Sequence, residues 1–263
     1  MTITLPLTAL FDDASQFPPA ALPLDAAVAG HEAWRGGSRS ELVGRFLAPL
    51  ARIGDVAASA GARDWELGIV VPKDVGSGSA AKAALALGDT ALRVTAVEMP
   101  AATGPALAAE WRDAFPEARL FLEGTAADVA DARAQDAGAK IRCGGTTPGA
   151  VPSVEAVADF VEGCAGLDVP FKATAGLHQP LRHRDAATGD EQFGFLNLWV
   201  ATALALEQAP TDDVRRALTA KDLDTLAPDT ADLQGARRIF TGFGTCSIQE
   251  PIDALIDLEL LHA

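Results

Sequence analysis

Short apolar runs alternate along the chain with longer segments of helical spacing, and the alternation repeats eight times. The first runs are Leu7–Phe11, which stops at Asp12-Asp13, then Glu41–Pro49, Trp65–Pro72 and Leu92–Glu98, which Met99-Pro100 closes. Arg119–Gly124, Ala139–Gly145, Val169–Gly176 and Arg238–Gly244 follow. Their lengths, and the glycine or proline ending most of them, predict strands. Glu41–Pro49 also suits a helix, but its brevity, Gly44 inside it and Pro49 behind it favour strand. The segments between predict helices over Leu24 to about Trp34, Leu50 to about Ala60, Ser79–Leu87, Pro105 to about Phe115 and Ala126–Asp136. Further helices are expected over Val154–Cys164, Phe193–Glu207, Asp212–Leu226 and Ile252–Leu261. Gly88 and Gly138 suit helix ends, while Ser153 and Glu155 suit a helix start. His178–Gln192 reads as a polar loop, and Cys246–Pro251 as a turn.

Eight strand–helix units in 263 residues have the size and rhythm of an α/β protein built as a single (β/α)8 barrel of the TIM type. An open doubly wound parallel sheet is the alternative, because the rhythm does not report closure. No low-complexity stretch or linker divides residues 1–263, so one domain is expected.

Hydrophobic residues make up 49% of the chain, which supplies a large core and argues against disorder. The formal net charge of -15 argues against nucleic acid and anionic membrane surfaces as partners, since both select cationic faces. Cys143, Cys164 and Cys246 are too few and too scattered for a disulfide framework or a closed zinc site. Met1-Thr2-Ile3-Thr4-Leu5-Pro6 lacks the basic and long apolar regions of a signal peptide, and no apolar run reaches the ~18 residues of a membrane span. A soluble, cytoplasmic protein is expected. Whether it forms a homo-oligomer stays open.

The two lysine strands break the aliphatic pattern. Side chains alternate along a strand, so Lys140 and Arg142 share one face, as do Lys172 and Thr174. A buried cation is costly unless it is paired or neutralised. Barrel active sites lie at the carboxyl ends of the strands. On these assignments those ends carry Asp12, Asp13, Arg45, Glu98, Glu123, Lys140, Arg142, Lys172 and Thr174, and the turn from Phe243 to Glu250 with Gly244 and Cys246. Glu98 and Glu123 each fall just before their strand stops, so the polar groups recur at one level.

Three readings of this set stay open. In one, Lys172 or Lys140 condenses with a carbonyl as a Schiff base, the other amine helps move protons, and Glu98 or Glu123 acts as acid or base. Lys172 is favoured, because bulky Phe171 precedes it and small Ala173 and Ala175 leave room beside it. In the second, the cations bind a small anionic substrate. In the third, the charges form a fixed network. His178 is expected to move protons, being nearer its strand end than His183, with a plain surface histidine as the alternative. Cys246 reads either as a nucleophile or as a buried small hydrophobe. Gly144, Gly145 and Gly244 either present backbone amides to a phosphate or only end their strands. No GxGxxG, P-loop, HxH or HExxH spacing is present, so the reading calls for no cofactor and no metal.

Lys140-Ile141-Arg142-Cys143-Gly144-Gly145, followed by Phe171-Lys172-Ala173-Thr174-Ala175-Gly176, resembles the lysine strands of class I aldolase barrels, especially the deoxyribose-phosphate aldolase group. In that group adjacent strands carry KTSTG-like and KASGG-like motifs, from which this chain departs in order and detail. The resemblance implies a barrel, and a carbon–carbon lyase whose lysine forms a Schiff base with an oxygenated, anionic substrate. An isomerase or metal-assisted hydrolase on the same barrel, or a non-catalytic ligand-binding protein, are the other classes. Most of the chain also resembles a bacterial protein family that brings no established activity with it. That likeness rests on Phe11-Asp12-Asp13-Ala14 with Phe17-Pro18-Pro19-Ala20, Gly44-Arg45-Phe46, the two lysine strands through Pro180, Gly194-Phe195-Leu196-Asn197, and Phe243 to Pro251.

Overall fold

Near-continuous apolar strands need cover on both faces, and here helices cover one face while the opposite wall covers the other. The computed structural model describes residues 5–61, 63–145, 147, 149–186 and 188–262. Met1–Thr4, on which much of the reading of the N-terminus rests, and Thr146 and Pro148 of the turn after Lys140 lie outside the described residues. The barrel strands are β1 (Phe11–Asp13), β2 (Val43–Pro49), β3 (Glu66–Val70), β4 (Arg93–Pro100), β5 (Arg119–Glu123), β6 (Gly138–Arg142) and β7 (Phe171–Thr174). An antiparallel hairpin of β8 (His183–Arg184) and β9 (Glu191–Gln192) comes next, and β10 (Phe240–Thr245) completes the barrel. β10 pairs in parallel with both β7 and β1, which closes the sheet. The fold is a (β/α)8 barrel, and closure removes the open-sheet alternative.

Outside it lie α1 (Leu24–Arg35), α2 (Ile53–Ala60), α3 (Ser79–Leu87), α4 (Pro105–Ala114), α5 (Val129–Ala134) and α6 (Val154–Gly166). After the hairpin come α7 (Phe195–Leu206), α8 (Thr211–Thr219), α9 (Leu223–Leu226), α10 (Leu233–Ala236) and α11 (Gln249–Asp257). Ser153 Oγ caps α6 by accepting from the Ala156 N–H at 3.1 Å. Val157, Phe160, Val161 and Cys164 then fall on its buried face at helical spacing. α7 is buried all along Phe195–Ala203, because the α8–α10 segment lies over it. Asn197 ties the two together, donating to the Ala217 and Ala220 carbonyls at 2.6 and 2.8 Å. Among the described residues, no helix is long and apolar enough to cross a membrane.

Several boundaries differ from the sequence reading; Gly138, read as a helix end, is instead the first residue of β6, because α5 already stops at Ala134. Leu7–Leu10 is not strand: Leu10 N–H bonds back to Leu7 and Ala9 N–H to Glu41, so β1 starts at Phe11 and includes both aspartates. Asp212–Leu226 is two helices, because Asp222 starts a second by accepting from the Thr225 N–H. The polar loop contains the β8–β9 hairpin. The last helix begins at Gln249 rather than Ile252, since proline is tolerated in a first turn whose N–H groups are unbonded anyway.

The interior departs from branched-aliphatic filling. At the level of the lysines β10 offers glycine: Gly242 pairs with Lys172, and Gly244 lies between Thr174 and Asp12. A Cβ on Gly242 would meet the Leu10 carbonyl oxygen at 2.9 Å, and one on Gly244 would meet Leu47 Cδ1 at 3.1 Å. With no side chain between them, Lys172 and Asp12 meet across β10.

Candidate active site

Lys140 and Lys172 are directly opposite on β6 and β7, a like-charge pair that would be unfavourable alone. Carboxylates from three other strands offset it. Lys172 Nζ pairs with both Asp12 Oδ2 of β1 and Glu98 Oε1 of β4. Lys140 Nζ lies 2.7 Å from Glu98 Oε2 and 2.8 Å from Glu123 Oε2 of β5. The charges therefore alternate as Asp12, Lys172, Glu98, Lys140, Glu123, ending on Arg142, whose Nη1 is 4.0 Å from Glu123 Oε1. Lys172 is further held 5.6 Å above the Phe121 ring centroid. Asp12 accepts from the Arg45 backbone N–H at 2.7 Å.

Burial alone would raise the Glu98 pKa, but the Lys140 and Lys172 ammoniums outweigh it and bring it from 4.5 to about 2. Burial alone would lower that of Lys140, but Glu98 and Glu123 hold it above the ordinary lysine value. Both groups are thus ionised at neutral pH. The depressed Glu98 value adds stability that is fully present above pH 4.5 and is lost as the pH falls toward 2, on the order of 3 kcal/mol. The raised Lys140 value adds stability present below pH 10.5 and lost as the pH rises through its higher folded value. Urea midpoints should therefore fall steeply between pH 4.5 and pH 2. A flat midpoint across that window would contradict the ion-pair arrangement.

Above this row opens a cavity of about 1260 Å³ at the carboxyl ends of the strands. Glu98, Glu123 and Lys140 form its floor. Arg142, Thr174, Gly145, His178 and Arg184 stand on one side. The other side is mostly apolar, with Phe17, Pro18, Pro19, Val70, Pro72 and Pro100, and includes the exposed Lys73.

No protein-family model and no curated protein matches the chain.

Most residues expected at the mouth are there. Lys140, Glu98, Glu123, Arg142, Thr174, Gly145, Gly244, His178 and Cys246 all line the cavity. Lys172 and Asp12 belong to the same charge row but lie beneath it, 1% exposed and off the cavity surface. The sequence favours Lys172 as nucleophile, whereas the amine facing the cavity is Lys140. Asp13 points the opposite way from Asp12, as strand alternation requires, and pairs with His31 Nδ1 at 3.0 Å in the outer core. It is buried and off the cavity lining. Arg45 is also off the cavity. Its Nε donates to Thr95 Oγ1 at 2.9 Å, toward the start of β3 and β4 where Glu66 and Arg93 pair. Gly144 packs behind the wall, where a Cβ would meet Gln192 Oε1 at 2.8 Å and Gly176 Cα at 3.1 Å.

Sequence reasoning missed Gln192 and named Glu250 only as the end of the turn after the last strand; both line the cavity. Gln192 is 5% exposed, and its Oε1 has no partner among the described residues. Among those residues, no group of three or more His, Cys, Asp and Glu side chains is placed to hold a metal ion.

Proposed function

We propose that the barrel is an enzyme acting at the carbonyl of an oxygenated, anionic substrate, and that Lys140 condenses with that carbonyl as a Schiff base in a carbon–carbon lyase reaction. The observation that carries this reading is that Lys140 alone of the two interior amines faces the cavity, with Glu123 at 2.8 Å beside it. A purely structural role fits poorly. Buried ion pairs replaced by well-packed apolar groups usually cost no stability. A row of charges beneath an open cavity therefore calls for another reason.

In the proposed step Lys140 gives one ammonium proton to Glu123, and the free amine attacks the carbonyl carbon. A proton moves from the attached nitrogen to the oxygen to give the carbinolamine, whose hydroxyl then leaves as water with the proton returned by Glu123, and the positive iminium replaces the ammonium between Glu98 and Glu123. Charge on the floor is the same before and after, so the carboxylates need not rearrange. Glu123, again ionised, takes the β-hydroxyl proton as the carbon–carbon bond breaks and its electron pair moves into the enamine. Arg142 and Arg184 supply charge for an anionic group. The apolar wall, and a volume above the ~300–1,000 Å³ usual for drug-sized ligands, favour a substrate with an apolar arm as well.

Incubation with a panel of small aldehydes and ketones, borohydride reduction and peptide mapping should label Lys140 above Lys172, above Lys73 on the cavity lining, and above the surface lysines Lys82 and Lys221. Because the Lys140 pKa is raised, labelling at fixed carbonyl concentration should increase with pH, about tenfold per unit from roughly pH 7 to pH 9. Even labelling of all lysines, or none, would retire the imine. The raised Lys140 pKa favours a second reading, an isomerase in which the ammonium stabilises an enolate while Glu123 moves the proton. That reading predicts solvent deuterium entering the substrate with no trapped lysine.

A further inference from the structure

A second group of reactive side chains stands on the same cavity and takes no part in the lysine chemistry. Cys246 follows the end of β10, His178 follows β7, and Glu250 lies in the first turn of α11. The pairing of β7 with β10 brings the first two together. Cys246 Sγ is 3.8 Å from His178 Nε2. On the other side of the ring, Glu250 Oε2 is 2.7 Å from Nδ1, at ion-pair distance though outside hydrogen-bond geometry. The turn carrying the cysteine is anchored: Thr245 Oγ1 donates to the Ser247 carbonyl at 2.8 Å, and Ser247 Oγ accepts from the Glu250 N–H at 3.3 Å.

Nucleophile, base and orienting carboxylate in that order are the parts of an activated thiol. We propose that Cys246, His178 and Glu250 form a second nucleophilic centre, in which the Cys246 sulfur adds reversibly to an aldehyde carbonyl held in the cavity. His178 Nε2 takes the thiol proton as the sulfur–carbon bond forms. The carbonyl π pair moves onto oxygen, and the same proton passes from His178 to that oxygen. The product is a hemithioacetal; nothing leaves, and no oxidant or reductant is needed.

The His178 pKa is raised first by the Cys246 sulfur and then, against the opposing effect of burial, by Glu250, which suits an imidazole that must hold the thiol proton. The other two cysteines lack this setting. Burial pushes the Cys143 thiol up to about 12 and Cys164 higher still. The proposal rests on the lyase reading only for its source of aldehyde: cleavage beside an imine releases an aldehyde fragment into the cavity, where the thiol would retain it.

The test uses the full chain, iodoacetamide as probe, and peptide mapping to read alkylation at each cysteine. Cys246 should be alkylated fastest at neutral pH, and His178→Gln should slow it about tenfold or more. Glu250→Gln, at an exposed side chain, should slow it less. An unchanged Cys246 rate in His178→Gln would make it an ordinary thiol and overturn the centre. Butyraldehyde should then protect Cys246 from alkylation both in the natural protein and in Lys140→Arg, which forms no imine. Protection in neither protein overturns the proposal. Protection lost in Lys140→Arg also overturns it, by placing the aldehyde on the lysine. Protection in both, together with failed borohydride trapping, supports the thiol centre while removing the lyase reading.

Discussion

Glu98→Gln should lower the melting temperature by roughly 6–20 °C, corresponding to about 3–5 kcal/mol. The glutamine keeps the shape of the side chain and loses its charge. Lys140 and Lys172 sit opposite one another in the β6–β7 register, and Glu98 touches both. Without its charge each ammonium keeps only one interior carboxylate, Glu123 or Asp12, and the two cations face each other with an amide between them. All three groups are under 5% exposed, so water cannot make up the difference. The acid-sensitive part of the stability should disappear with the carboxylate, leaving Glu98→Gln flatter than the natural protein between pH 4.5 and pH 2. Scanning calorimetry and urea titrations across that range check both. A melting temperature unchanged by the substitution would mean that the charge row is not what holds the lysines in the interior.

Much of this arrangement was legible in the residues. Period-two alternation placed Lys140 with Arg142 and Lys172 with Thr174, and the recurrence of Glu98 and Glu123 just before their strand ends placed both carboxylates at the level of the lysines. Those are local properties of single strands, and they survive folding. Access was not legible. Lys140 and Lys172 look alike in sequence, and only the glycines of β10, which let Lys172 sink toward Asp12, separate a buried cation from one on the cavity floor. The facing of Asp12 against Asp13 depended on where β1 starts. That is set by a backbone bond from Ala9 to Glu41, more than thirty residues away. Cys246, His178 and Glu250 come from two loops and a helix, and no spacing rule unites loops that meet only because β7 and β10 are neighbours.

Glu123→Gln should act on the chemistry instead, slowing imine formation at Lys140 by about 10²–10⁴-fold while leaving the melting temperature within about 4 °C. Glu123 touches the same amine as Glu98, yet its side chain is 27% exposed against 1%. Solvent can therefore replace its charge, and little stability is at stake. Its contribution to the raised Lys140 pKa makes the experiment sharper. If Glu123 were only a counter-ion, removing it would ease loss of the ammonium proton, and borohydride trapping would become faster. If it receives that proton and returns it to the departing water, the variant holds more free amine and still reacts more slowly, because no positioned group moves the proton. The two roles thus predict opposite signs for one measured rate. Slower trapping at every pH, with the fold intact, is the outcome expected for a proton carrier. Faster trapping would leave Glu123 as a charge partner and require another group on the cavity floor to move the proton.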